Sequence, residues 1–196
     1  EYADAVKSLS YDNYDVLLVD NSPDDNYFDK IKSLGLNVIK GEYFEGAIKR
    51  IIISRNILKK YALDNNYDYL FSLEQDVIPN KDALTKLVSH NKEVVSGIYF
   101  IHNIINNQRI LIPQAFIELN TKTNNLPDMR WLREEEFLSN KLIKIVSCGM
   151  GCVLIHKNIL NKIEFRSENN VFDDRFFAID LYKKNIPMYC DTSVKC

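Results

Sequence analysis

Short apolar runs alternate with stretches whose hydrophobic residues recur every three or four positions, the pattern of an α/β domain. Residues 16–19 read as a buried strand, stopped by the turn signal Asp20-Asn21-Ser22-Pro23. Helical spacing follows over 27–34, with Gly35 placed as its C-cap, and 37–39 form a second short strand. From 46 to 63, Ile48, Ile51, Ile52, Leu58 and Ala62 outline an amphipathic helix, and Arg55 occupies a slot on the same stripe. Residues 69–74 predict a strand, and 81–90 a helix capped by Asn80. Strands are expected at 94–100 and 111–117, with the polar segment 103–109 as a loop between them. Residues 121–128 read as a loop and 129–138 as a helix or lid.

Two further strands, 143–146 and 153–155, flank Ser147-Cys148-Gly149-Met150-Gly151. There the small residues let the backbone approach a ligand, bend sharply, or form a β-bulge. The chain closes with a helix near 175–184 and a strand near 188–190. Residues 1–9 read as the end of a helix already under way, so a first strand is missing from the expected order. No internal repeat, low-complexity segment or interior linker divides the sequence, and 196 residues suit a single domain, 1–196.

Composition narrows the classes. A net charge of −2 gives no basic footprint, which disfavours nucleic acid as a partner. No apolar run approaches the roughly 18 residues that a membrane-spanning helix needs, so the expectation is no transmembrane segment and at most peripheral membrane contact. Cys148, Cys152, Cys190 and Cys196 fit no zinc spacing and are too sparse for a secreted disulfide scaffold. They read as reduced thiols of a cytoplasmic protein. His90, His102 and His156 are scattered and read as structural or exposed.

Candidate chemistry gathers where predicted strands end and helices begin. The strand 69–74 runs into Glu74-Gln75-Asp76 and is stopped near Pro79. Side chains at i and i+2 of a strand share a face, so Glu74 and Asp76 can converge on one point. Hard oxygen ligands at a strand's carboxyl end suit Mg²⁺ or Mn²⁺ holding a diphosphate. Solvated acids ahead of a helix would look the same. Asp20 and Asn21 can read a nucleobase edge or ribose hydroxyls, or simply form an Asx-turn. Asp173-Asp174 precede an apolar helix, where one acid can cap it and the other remains available as a general base.

The order of these clusters resembles family 2 glycosyltransferases, inverting enzymes of the GT-A fold. The similar pieces are VLLVDNSPDD (16–25), AIKRIIISRNILKKYAL (47–63), YDYLFSLEQDVIPNKDALTKLV (67–88), VVSGIYF (94–100), VSCGMGCVLIHKNIL (146–160) and VFDDRFFAIDLYKKNIPMYCDTSVKC (171–196). The resemblance implies one mainly parallel central sheet flanked by helices. It makes Asp20 and Asn21 contacts to the nucleotide, Arg55 the arginine near base and phosphates, and Glu74-Gln75-Asp76 the counterpart of the DxD motif. Asp76, with Glu74, would ligate Mn²⁺ or Mg²⁺. Asp174 would be the catalytic base, beside Asp173. Gly149, Gly151 and Trp131 would face the sugar or acceptor, and 101–138, with the acids Glu134 to Glu136, would recognise the acceptor.

The implied reaction moves a sugar from a UDP- or GDP-linked donor to a glycan, lipid-linked or protein acceptor. Two rivals remain open at this point: a nucleotidyltransferase of the same fold, and a non-catalytic nucleotide-sugar-binding domain. A dinucleotide-dependent dehydrogenase is disfavoured because no G-x-G-x-x-G follows a strand.

Overall fold

A computed structural model describes residues 1–196. The first half alternates helix and strand: α1 (Tyr2–Lys7), β1 (Leu17–Asp20), α2 (Asn26–Ser33), β2 (Asn37–Lys40), α3 (Ala47–Asp64), β3 (Tyr69–Leu73), α4 (Ala83–Ser89) and β4 (Val94–Ile98). The alternation then stops. Strands β5 (Phe100–Ile105), β6 (Gln108–Pro113), β7 (Ala115–Thr123) and β8 (Leu126–Trp131) follow without a helix between them. The remainder is α5 (Glu134–Phe137), β9 (Leu142–Ile145), β10 (Ser147–Cys148), β11 (Cys152–His156), α6 (Lys157–Leu160), α7 (Asp173–Lys183) and β12 (Met188–Lys195).

The expected single, mainly parallel sheet of GT-A type is not what this chain forms. Four sheets are present: parallel β1–β2, five-stranded β3-β11-β4-β12-β9, antiparallel β10-β7-β8, and the hairpin β5–β6. In the five-stranded sheet, β11 runs antiparallel to both β3 and β4, β12 is parallel to β4, and β9 is antiparallel to β12. A parallel pair needs a crossover of a dozen or more residues. Between β4 and β11 the long connection is spent on the strands β5 to β10 and the four-residue α5, with no crossover helix, and β11 returns antiparallel to β4.

Local expectations fail for a related reason. Residues 103–109, expected as a loop, lie mostly in the β5–β6 hairpin. Much of 121–128 belongs to β7 and β8, and the expected helix or lid at 129–138 is strand as far as Trp131, with only Glu134–Phe137 helical. Both hairpins close on two-residue Asn-Asn loops with positive φ, Asn106 (51°) with Asn107 (61°) and Asn124 (52°) with Asn125 (63°). Two left-handed residues in a row make the type I′ turn whose twist matches paired strands, and asparagine tolerates that region better than most residues. The helix expected at 81–90 starts at Ala83 with Asp82, not Asn80, at its N-cap.

The larger core lies under the five-stranded sheet and joins β4, β9, β11 and β12 to α6 and α7, through Val94, Ile98, Val153, Ile155, Phe165, Phe177 and Leu181. Phe165 and Phe177 stack with centroids 6.1 Å apart, which seats α7 against the segment before it. A smaller core under α4 holds Leu84, Leu87, Val95 and Leu154. Helix α3 packs on both β1 and β3, so it spans the two sheets. An apolar cavity of about 400 Å³, lined by Tyr2, Val6, Leu17, Leu58 and Phe71 among others, fills the space between them. No helix is long and apolar enough to cross a membrane.

Candidate functional site

The acids predicted at strand and helix ends meet at α3. Arg55 lies on its inward stripe and is 9% exposed. One guanidinium nitrogen pairs with Glu74 after β3 and another with Asp173 at the start of α7. Arg55 thus ties together acids 19 positions away and 118 positions away. It is not a free cation aimed at a nucleobase or phosphate, since both ends of its fork are occupied. Its position on the isoleucine stripe reflects this clamp.

Asp173 is 1% exposed; its Oδ1 takes Arg55 and its Oδ2 has no partner in the protein. Asp174 follows in the same first helical turn, where its Oδ1 accepts the Arg175 N–H at 2.7 Å. The N-cap position belongs to Phe172, so neither aspartate takes that place. Burial raises the Asp174 carboxyl above its ordinary range, and the charge of Asp173 adds to that. The Arg175 N–H, Arg55 and Arg175 act against the rise.

Glu74 is raised as well, by burial first, against the pull of Arg55. The negative charges of Asp76, Asp173 and Asp174 all add to the rise. Glu74 therefore lies within electrostatic reach of the other three carboxyl groups. Convergence does not come from strand geometry, however, because β3 ends at Leu73 and the Val77 N–H closes a turn onto the Glu74 carbonyl at 3.0 Å. The turn leaves Gln75 and Asp76 exposed while Glu74 points inward to Arg55.

Asp20 and Asn21 end β1 on the same stretch of α3. The Asn21 amide donates to the Arg50 carbonyl at 3.2 Å and the Ser54 hydroxyl at 2.9 Å, one residue before Arg55. Asp20 is engaged in its own turn: Oδ1 accepts from the Ser22 N–H at 3.1 Å and Lys40 pairs with Oδ2 at 2.9 Å. Burial works to raise its pKa, but the bonds from Ser22 and Lys40 outweigh it and hold the carboxyl below its ordinary range. The Asx-turn geometry expected as the plain alternative is thus present.

Gly149 and Gly151 are closely approached, and what approaches them is Tyr99. A Cβ on Gly149 would collide with the Tyr99 hydroxyl, and one on Gly151 would stand 2.7 Å from its Cζ. The Gly151 N–H donates to that hydroxyl at 3.2 Å, and the Gly151 carbonyl accepts the Glu74 N–H at 3.1 Å. Tyr99 was not among the residues singled out from sequence; its aromatic side chain at the end of an apolar strand reads simply as core. Trp131 is 41% exposed at the end of β8, its ring 6.3 Å from that of Phe116. Met129, on the same face of β8, touches Arg175 beside Asp174. Of the acids expected to recognise an acceptor, Glu136 is instead bound bidentately by Arg130 at 2.7 and 2.8 Å, which pushes its carboxyl down to about 2.

No group of three or more acidic, histidine or cysteine side chains is already assembled as a metal cage. The donor chemistry nonetheless fits a hard divalent cation, because Mg²⁺ and Mn²⁺ are commonly held by one or two carboxylates together with substrate phosphates. Exposed Asp76 offers one such carboxylate, and Glu74, turned inward onto Arg55, stands within electrostatic reach of it. Neither the apolar cavity nor a polar one of about 820 Å³ around Lys59, Arg166 and Asp180 is lined by any of these acids.

No protein-family model and no curated protein matches the chain. Among solved structures it is similar to A197 from STIV, with a TM-score of 0.53 and 16% identity over 92% of this chain and 83% of that one. That likeness is one of fold. UDP-glucose pyrophosphorylase complexed with UDP-glucose aligns with 89% of this chain and 66% of its own, at a TM-score of 0.42 and 10% identity, too weak to carry an argument.

Proposed function

We propose that this protein is a metal-dependent inverting glycosyltransferase, related to family 2, that uses a UDP- or GDP-linked sugar. The acceptor is a hydroxyl on a glycan, a lipid-linked sugar or a protein, and the setting is cytoplasmic with at most peripheral membrane contact. One observation supports this reading above the others. Arg55 pairs with both Glu74 and Asp173 and so holds the segment of Glu74 and Asp76 against that of Asp173 and Asp174, and Glu74 feels the charge of the other three acids.

The roles follow from exposure and partners. Asp76 with Glu74 would hold Mn²⁺ or Mg²⁺, which when bound supplies positive charge for the departing diphosphate. Asp174 takes the proton of the acceptor hydroxyl as that oxygen bonds to the anomeric carbon. The bond from that carbon to the diphosphate oxygen breaks in the same step, and a single displacement inverts the centre. A carboxyl held above its ordinary pKa is a better proton acceptor than a solvated aspartate. Arg55 and Asp173 position the two acid-bearing segments and do not touch the reacting atoms.

Product analysis tests the reading. With Mn²⁺, a nucleotide sugar and a glycan acceptor, the expected products are a nucleoside diphosphate and a glycoside of inverted configuration. Pyrophosphate formed instead from a nucleoside triphosphate and a sugar 1-phosphate would assign the chain to nucleotidyl transfer, and binding of a nucleotide sugar without turnover would make it a non-catalytic nucleotide-sugar-binding domain.

A further inference from the structure

We infer that Tyr99 is a sugar-binding residue of this site and that Gly149 and Gly151 exist to seat it; this rests on the glycosyl-transfer reading. Tyr99 is the single residue between β4 and β5, where the chain leaves the five-stranded sheet for the hairpin. Its carbonyl accepts the Gln114 N–H at 2.9 Å, and Gln114 in turn accepts the Gly149 N–H at 3.1 Å. The residue is 8% exposed, and its ring lies where side chains at 149 and 151 would otherwise be. A backbone built so closely around one phenol fixes the hydroxyl in place.

That hydroxyl is half used. Its oxygen accepts the Gly151 N–H at 3.2 Å, and no acceptor in the protein takes its proton. A phenol buried to this degree normally finds a partner for its proton. The surroundings say where the partner comes from. Gly151 links the phenol to Glu74 on one side through its two backbone bonds. On the other side α7, which begins with Asp173 and Asp174, packs on β10 just before Gly149. Burial, followed by the charge of Glu74, raises the phenol's pKa far above its ordinary value, so it stays a proton donor, and Asp174 is also within electrostatic reach. In a single displacement the transferred sugar lies between the leaving diphosphate, on the Glu74 and Asp76 side, and the base Asp174. Tyr99 is tied to the Glu74 side through Gly151 and stands within electrostatic reach of Asp174, so its free proton is available to a sugar oxygen held between them.

The test compares Tyr99→Phe with wild type by calorimetric titration, using UDP–Mn²⁺ and UDP-glucose–Mn²⁺, with GDP and GDP-mannose as a second pair. Phenylalanine keeps the ring in its seat, so affinity for the bare nucleotide diphosphate should be unchanged, while thermal stability falls modestly because the Gly151 N–H loses its acceptor. Affinity for the sugar nucleotide should fall tenfold or more. Gly149→Ala, which drives the hydroxyl from its place, should reproduce that loss. Equal sugar-nucleotide binding by wild type and Tyr99→Phe overturns the role of Tyr99 while leaving the glycosyl-transfer reading intact. Absence of binding by wild type with either pair overturns the reading and this inference together.

Discussion

At the scale of single residues, the acids are gathered by Arg55, which pairs with both Glu74 and Asp173. Removing one member of a buried ion network leaves charges without compensation and typically costs about 3–5 kcal/mol. Arg55→Ala should therefore destabilise the fold by roughly that amount, measured by chemical denaturation; a loss under about 1 kcal/mol would mean that the clamp is not structural. Asp174 behaves in the opposite way. Its folded carboxyl holds a proton more tightly than the unfolded chain does, so ionising it at neutral pH works against folding. Asp174→Asn should accordingly be neutral or stabilising at pH 7 while lowering turnover by about 10²–10⁴-fold. In the wild type, the rate should fall with decreasing pH through a midpoint above the ordinary aspartate value of about 4. A midpoint at or below that value would remove Asp174 as the base. The acids themselves were legible in the sequence, because runs such as Glu74-Gln75-Asp76 stand out at the end of an apolar strand. The role of Arg55 was not. Its partners lie 19 and 118 positions away, and only the fold brings them together.

At the scale of elements, turn chemistry decided what periodicity could not. The polar pairs Asn106-Asn107 and Asn124-Asn125 invite a loop assignment, yet at positive φ each is the two-residue corner of a hairpin. The signal was present in the sequence as Asn-Asn between runs rich in β-branched and aliphatic residues. Asn106→Val should cost about 1 kcal/mol or more, since a β-branched residue resists the left-handed region, whereas Asn106→Gly should be tolerated. Denaturation midpoints of the two variants check this, and equal midpoints would contradict the turn assignment. The same hairpin region carries a pH-sensitive bond. Bidentate pairing with Arg130 holds the half-buried Glu136 down at about 2, so its contribution, at most about 3 kcal/mol, is present above the unfolded pKa near 4. It is lost as pH falls toward 2, and Glu136→Gln should flatten that part of the stability profile.

At the scale of the whole molecule, the first half of the chain follows its sequence pattern closely because helices separate its strands. Between β4 and β11 successive strands connect with no helix longer than the four-residue α5, and antiparallel sheets replace the expected single parallel one. Hydrophobic periodicity marks strands but carries no direction; direction depends on whether a helix crosses over between them or strands and turns fill the connection. The site survives that difference because it depends on α3, the end of β3 and the start of α7, not on the number of parallel strands. Whether that site binds a nucleotide sugar through a metal is the central claim, and one titration addresses it most directly. Mn²⁺-dependent binding of UDP- and GDP-sugars should be measured for wild type and for Asp76→Ala. The account predicts binding to wild type with at least one of these donors, its loss when Mn²⁺ is omitted, and its loss in Asp76→Ala. Binding to wild type that is indifferent to both the cation and Asp76, or no binding of any donor, would contradict it.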